Sequence, residues 1–418
     1  MAVAKPATLA RGLAALLLAA ASASASTAPA VAAGPGPAAL GPAVLSPAVF
    51  DPAALDAAIA ARPGDPAAGA VARVTADGLV WRGSAGDPVS GRPVAPDAAF
   101  RIGSINKTFV AAVLLQLAAE QRISLDGTVQ QYLPGTLPAS FTLPITVRQL
   151  LDHTSGLPQA VEGPELEGTE LEKRDGLIAH RFANETLDLV VQRTLRPHPE
   201  RGLPEAGPAF EPGSAQEYNN FNYRLAGRII EQVTGHTIRE EVTARILKPL
   251  GLRHTEVTEG RPAMPEPHLA GYVPDSADTP TDVSEQGGNP ESMVSTPADL
   301  DRFLRALLGG ELLPPQQLHD LLTLPRDASG RLVPVRGAGE CPFGPDKGRA
   351  CYSAGLMAIP LRDGTVLWGK TGHDLGYSDG FFTTPDLRRR LVYSVGAGVG
   401  TPAPALRLAV TAFGPFAP

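Results

Sequence analysis

From Phe109 to Ala119 the only polar residue is Gln116. The segment from Ser104 to about Gln121 contains no glycine or proline, and its pattern predicts one helix. A helix that is apolar nearly all round is a buried one, enclosed by other elements. What encloses it is legible at the two ends of the chain. Ala70–Thr75 and Leu79–Ser84 flank Asp77-Gly78, the two-residue signal of a tight β-hairpin. Strand signals return at 356–361, 365–369, 380–384 and 391–395. Between them, from Arg122 to about Gly288, the chain reads as helical patches joined by Pro/Gly loops, and Pro404–Phe413 forms a last helix. The expected architecture is α+β: an antiparallel sheet flanked by helices, with an inserted, mostly helical subdomain at about 126–287. Helix starts are expected after Asp51 with Pro52, after Thr146, and after Thr296 with Pro297. A helix from Phe221 stops at Gly235.

The 418 residues are 43% hydrophobic and 19% charged, the balance of a globular protein. A net charge of -7 without a basic stripe excludes a nucleic-acid partner, and the Arg388–Arg390 cluster reads as a solvated hairpin turn. Lys5 and Arg11 precede the apolar run Gly12–Ala21, and small-x-small sites follow. Residues 1–33 are therefore expected to be a secretory signal and 34–50 an Ala/Pro-rich tether, leaving 51–418 as the exported domain. Ten apolar residues are half of what a membrane span requires, so no membrane anchor is expected. In an exported protein the only two cysteines, Cys341 and Cys351, are expected to pair as a disulfide. The eight histidines show no His-x-His or His-x-x-x-His spacing, so neither metal nor other cofactor is expected. The two sequons, at Asn106 and Asn184, carry no weight, and a monomer is expected.

Lysine is rare, at six residues against thirty arginines. A chain with that preference has reason to keep lysine where a titratable amine is needed, because arginine does not give up its proton. Lys107 closes Ser104-Ile105-Asn106-Lys107 at the start of the apolar helix, and Lys370 opens Lys370-Thr371-Gly372. At a helix N-terminus the macrodipole favours negative charge developing on Ser104 Oγ. Lys107, three residues on, projects from the same face, and burial of its helix would favour the neutral amine, a base toward the serine. Ser-x-x-Lys alone is a weak signal; Lys-Thr-Gly is much rarer by chance, and the pair together is a signature of serine acyl-transfer sites. Lys370 and Thr371 could hold a substrate carboxylate while Gly372 keeps the strand open. The main-chain N–H groups of Ser104 and His373 could form an oxyanion hole.

Between these motifs lies Phe210-Glu211-Pro212-Gly213-Ser214-Ala215-Gln216-Glu217-Tyr218-Asn219-Asn220, with Phe100-Arg101-Ile102-Gly103 and Leu150-Leu151-Asp152-His153-Thr154-Ser155-Gly156-Leu157 as neighbouring stretches. Together they resemble the serine penicillin-binding and class C β-lactamase-like family, which includes D-alanyl-D-alanine carboxypeptidases, β-lactamases and related esterases. The resemblance runs from about Asp51 to the end. It implies the β-lactamase/DD-peptidase fold and a secreted hydrolase in which Ser104 is acylated, Lys107 assists it and Tyr218 is the general base or proton relay. Asn220 would hold the acyl-side amide, and Lys370 with Thr371 the anionic end. The expected activity is D-alanyl-D-alanine carboxypeptidase on peptidoglycan peptides, with β-lactamase or esterase/amidase as alternatives. The expected substrates are a small peptide, a β-lactam or an ester. The sequence departs from the family in placing His373 after Gly372, and it lacks an arginine in Gly355–Pro360. Both departures weigh against a carboxylate pocket.

Gly376-Tyr377-Ser378-Asp379-Gly380 is a literal Gly-x-Ser-x-Gly, but a strand pattern follows it and no histidine comes after His373. It is not a nucleophile elbow. The glycine-rich 396–400 run does not open a βαβ unit and is not a nucleotide loop. A non-catalytic penicillin-binding module is disfavoured by the complete set Ser104, Lys107, Tyr218 and Lys370. His153 is expected to pack at a helix end, and Trp368 in the core beneath the Lys370 strand.

Overall fold

The computed structural model describes residues 50–66, 68–163, 168–197, 207–288, 291–337, 341–397 and 402–418. The expected signal and almost all of the tether lie outside the described residues. A six-stranded antiparallel sheet forms the centre. Its strands are β1 (Ala70–Ala76), β2 (Leu79–Ala85), β3 (Met357–Pro360), β4 (Val366–Asp374), β5 (Tyr377–Thr383) and β6 (Arg389–Val395), in the order β2-β1-β6-β5-β4-β3. The first hairpin pairs with the last strand, Ala70 opposite Val395 through Ala76 opposite Arg389, so the two ends of the chain close one sheet. Asp77 and Gly78 both adopt positive φ, 50° and 84°, the turn that matches the strand twist.

Helices α1 (Pro52–Ile59) and α5 (Ala403–Phe413) pack together on one face of the sheet, with Leu55, Leu391, Leu408 and Phe413 in their core. Helices α2 (Asn106–Ala119), α3 (Asn220–Thr234) and α4 (Pro297–Leu308) build the larger core on the other face. Helix α2 is buried from Lys107 to Leu115, and Phe109 stacks on Phe303 of α4 with ring centroids 3.8 Å apart. Gln116, its one polar interruption, donates to the Leu312 carbonyl at 3.1 Å. The helix starts follow the sequence: Asp51 accepts from Ala53 and Ala54, Thr146 forms a capping box with Gln149, and Thr296 accepts from Asp299. Gly235 ends α3 in the left-handed conformation, where a side chain would be strained.

Two local readings change. The strand expected to end at Gly369 continues to Asp374, so Lys370-Thr371-Gly372 lies within β4 and not beside it. Pairing with β5 extends it across the Leu375-Gly376 turn, a tertiary effect with no periodic signal in the sequence. Of the arginine cluster only Arg388 meets the solvated-turn reading. Arg390 is 9% exposed, and its guanidinium pairs with Asp301 of α4, because strand alternation turns it toward the helices. Trp368 is half-buried and packs against the larger core.

Candidate active site

The nucleophile's position comes from two close backbone approaches. Ser104 lies in a single 3₁₀ turn, Gly103–Ile105, that leads into α2. A Cβ on Gly103 would lie 2.2 Å from the His373 carbonyl oxygen, and one on Gly372 would lie 2.2 Å from that of Ile102. Only glycine at both positions lets the turn rest on the end of β4. Arg101, fully buried, anchors the approach by donating to the carbonyls of Ser284, Pro262 and Gln286. The Phe-Arg-Ile-Gly motif is thus a mount for Ser104.

Four sequence-predicted residues meet here. Lys107 Nζ donates to Ser104 Oγ at 3.1 Å, and the Tyr218 hydroxyl donates to the same oxygen at 2.8 Å. Lys370 Nζ lies 4.7 Å from the centre of the Tyr218 ring, and Lys107 Nζ lies 5.6 Å from it. Lys107 is 6% exposed and Lys370 3%. Burial pushes the Lys107 ammonium down to about 8, with Arg224 adding to the effect and Glu162 and Glu291 opposing it. An amine that sheds its proton near neutral pH and touches the serine hydroxyl is a competent proton acceptor.

Tyr218 is held by residues to which the sequence assigns no role. Gln216, fully buried, donates to the carbonyls of Asp152 and Tyr352 and accepts from the amides of Cys351 and Tyr352. It ties together the Tyr218 segment, the His153 loop and the Cys341–Cys351 disulfide, which is formed. The Tyr352 ring lies 5.2 Å from that of Tyr218. The sequence gives neither residue a role: Gln216 lies within the Tyr218 segment, and the only signal for Tyr352 is its adjacency to Cys351. His153 packs past a helix end, its ring 4.5 Å from Tyr218. Its Nδ1 accepts from the Asn219 amide at 3.2 Å, and burial together with Lys107 and Lys370 keeps it neutral. Asn219 also donates to the carbonyls of Leu157 and Pro158, so the two motif segments are one hydrogen-bonded unit.

Ser104 and Lys107 open onto a cavity of about 470 Å³ whose wall also includes Asn220, Glu162, Arg224, Glu291, His373 and Asp374. Arg224, on α3, pairs with both Glu162 and Glu291. Burial opposes ionisation of Glu162, but Arg224 and the Asn220 amide outweigh it and hold the carboxyl below its usual range. Burial raises the Asp374 carboxyl, with Arg101 opposing. Asn220 lines the same cavity as Ser104. Thr371 does not join this cavity. It stands opposite Gly380 and borders an apolar crevice with Phe343, Phe382 and Phe413, because alternation along β4 turns it away from Lys370. Lys370 Nζ itself donates to the Thr371 carbonyl at 2.9 Å. The His373 ring pairs with Ser378 Oγ across the hairpin at 3.0 Å, so the Gly-x-Ser-x-Gly serine lies inside a strand. Among the described residues no group of His, Cys, Asp and Glu is arranged to hold a metal, and no helix is long and apolar enough to cross a membrane.

Residues 55–410 match the Beta-lactamase family, and the chain belongs to that family. It is 29% identical over 335 residues to esterase EstB of Burkholderia gladioli, covering 72% of this chain and 80% of the esterase. Its structure is similar to that of a D-stereospecific amidohydrolase from Streptomyces sp. at a TM-score of 0.70 and 33% identity, covering 87% of this chain and 98% of that one. The fold is shared with D-amino acid amidase from Ochrobactrum anthropi SV3, at a TM-score of 0.65 and 24% identity over 86% of this chain and 98% of the amidase. The protein is a serine hydrolase of the β-lactamase fold.

Proposed function

We propose that the protein hydrolyses small amides and esters of D-amino acids through an acyl-enzyme on Ser104. The observation that carries the reading is the contact of one serine oxygen with both Lys107 and Tyr218, 3.1 and 2.8 Å away. In this mechanism Ser104 Oγ attacks the substrate carbonyl carbon while its proton passes to the Lys107–Tyr218 pair. The oxyanion forms where the Ile102–Gly103 turn meets β4, toward the main-chain N–H groups of Ser104 and His373. The pair then returns the proton to the departing amine or alcohol, and the C–N or C–O bond breaks. Water repeats the sequence on the ester and releases the acid. Lys370 adds positive charge beside the Tyr218 ring and favours a phenolate in that cycle.

The D-amino acid preference follows the Streptomyces amidohydrolase, and esters enter with EstB. A D-alanyl-D-alanine carboxypeptidase is the second reading, favoured by the Lys370 ammonium beside the Tyr218 ring. It ranks lower because Thr371 borders the apolar crevice and not the cavity that Ser104 lines. Export is part of the proposal, supported by the signal-like N-terminus and the Cys341–Cys351 bond.

The test is intact mass and turnover with D-alanine amide, a 4-nitrophenyl ester, diacetyl-Lys-D-Ala-D-Ala and benzylpenicillin, with Ser104→Ala as control. Ser104-dependent release from the amide and the ester supports the reading. Turnover confined to the tripeptide moves the function to the carboxypeptidase, and a long-lived penicillin adduct without amide turnover sinks the amidase assignment.

A further inference from the structure

His153 sits where a helix would ordinarily end on glycine. It follows the short helix Val147–Leu151 and its cap Asp152, with φ at 62°, and the Thr154 amide closes back on the Gln149 carbonyl. That left-handed place is strained for a residue with a Cβ, and glycine or asparagine usually takes it. Strain of this kind persists where the surroundings hold it, and it gathers at functional sites. Here a histidine occupies the place and is 2% exposed.

What the histidine provides there is a hold on Tyr218 from both sides. Its carbonyl accepts from the Glu217 amide at 3.0 Å, and its Nδ1 accepts from the Asn219 amide at 3.2 Å. These are the two amides that flank Tyr218. A main-chain N–H can only donate, so Nδ1 carries no proton and the ring is the neutral Nε2–H tautomer. Asn222, whose Oδ1 accepts from Ser155 Oγ, turns its Nδ2 to the same Nδ1 at 3.2 Å. The imidazole lies 4.5 Å from the Tyr218 ring, 5.3 Å from that of Tyr223 and 5.6 Å from that of Tyr352. Lys107 faces the first two of these rings, and Lys370 the first and third.

We infer that His153 is a positioning residue for the proton path: it fixes the Tyr218 backbone on both sides and packs against its ring, so that the hydroxyl meets Ser104 Oγ. It stands behind Tyr218 and does not line the Ser104 cavity, so its effect on the reaction passes through the phenol. The inference rests on the Ser104–Tyr218 reading and adds what holds the phenol in place.

The experiment measures kcat and KM for 4-nitrophenyl butyrate on the full chain, per folded enzyme as counted by circular dichroism. His153→Gly relieves the backbone strain but removes the ring and the acceptor. It should lower kcat ~10–100-fold, the cost of misplacing a reacting group by about 1 Å, and leave KM within ~3-fold. His153→Gln, whose amide reaches past the Nδ1 position, should do the same. His153→Asn tolerates the left-handed backbone and sets Oδ1 near the Nδ1 position, so it should recover at least ~5-fold of that loss. The deciding comparison is made in Tyr218→Phe. There either disabling variant should cost less than ~2-fold more, because residues that act as one unit are not additive. Equal losses in both backgrounds, or a wild-type kcat in His153→Gly and His153→Gln, overturn the inference and leave Ser104 catalysis standing. Full activity in Tyr218→Phe itself, or no Ser104-dependent turnover, overturns the underlying reading and the inference with it.

Discussion

The two walls of the cleft handle charge in opposite ways. On one, Lys107 is buried beside Ser104 and donates to its hydroxyl, and Lys370 lies over the Tyr218 ring. On the other, Arg224 and Glu291 are buried and Glu162 is half-buried, both carboxylates pair with the one guanidinium, and Asn220 is hydrogen-bonded to Glu162. Lys107, desolvated beside Ser104, has a lowered pKa and becomes reactive. A cation buried between two carboxylates is fixed in its charged form and becomes scaffolding. The lesson is that the reactive amine is the cation without an ion pair to hold its proton, and the guanidinium between two carboxylates is structural. Breaking each wall should therefore have a different signature.

The largest effect belongs to the first wall. Ser104→Ala should lower kcat/KM by at least ~10⁴-fold on every substrate, as loss of the nucleophile does elsewhere, with unfolding by urea unchanged. Lys107→Gln and Tyr218→Phe should each cost ~10²–10⁴-fold, the range for a positioned proton carrier. In the wild type, kcat/KM should rise as pH passes about 8, because Lys107 accepts a proton only once neutral. That midpoint belongs to the coupled Ser104–Lys107–Tyr218 unit rather than to one residue. If Tyr218→Phe retained full activity, the proton path would run through Lys107 alone.

The second wall should answer in stability before rate. Arg224→Met leaves Glu162 and Glu291 buried without their cation, a loss of about 3–5 kcal/mol in urea unfolding. The variant also couples the two walls. Arg224 helps to hold the Lys107 ammonium down, and the two glutamates push it up. Removing Arg224 should therefore move the activity midpoint to higher pH. A midpoint that stays in place would mean that the triad is electrically isolated from the nucleophile.

How much of this was legible in the sequence follows the same division. Ser104, Lys107, Tyr218 and Lys370 could be named because each sits in a short motif whose spacing has a chemical reason. The burial of α2 was visible because its apolar run leaves only Gln116 polar. Residues that act through long-range contacts were not legible. Gln216 bonds to segments 64 and 136 residues away, and Glu162 meets Arg224 across 62. No local pattern marks a glutamine or glutamate for such a partner. Thr371 shows the converse. The motif was real, but the strand continued further than its side chains suggested, and alternation then placed the hydroxyl on the other face.

The smallest expected effect tests what lies behind the first wall. Asp152 precedes His153, is 8% exposed, and accepts from both the amide and the hydroxyl of Thr154, at 3.1 and 2.6 Å. Burial pushes its carboxyl up to about 6, with the Thr154 hydrogen bonds and Arg148 only partly offsetting it. The folded protein therefore holds a proton here more tightly than the unfolded chain, whose carboxyl titrates near 4. Stability contributed by the neutral form is fully present below about 4 and is lost as pH rises through about 6. At neutral pH the ionised Asp152 costs about 2–3 kcal/mol. Asp152→Asn keeps an acceptor for Thr154 without the charge, so its stability relative to wild type should increase between pH 4 and pH 6 and level off above. Urea midpoints across that window measure the difference. Parallel curves would show that Asp152 titrates alike in the folded and the unfolded chain, as a carboxyl that reaches water does, and that the loop behind Tyr218 tolerates its charge.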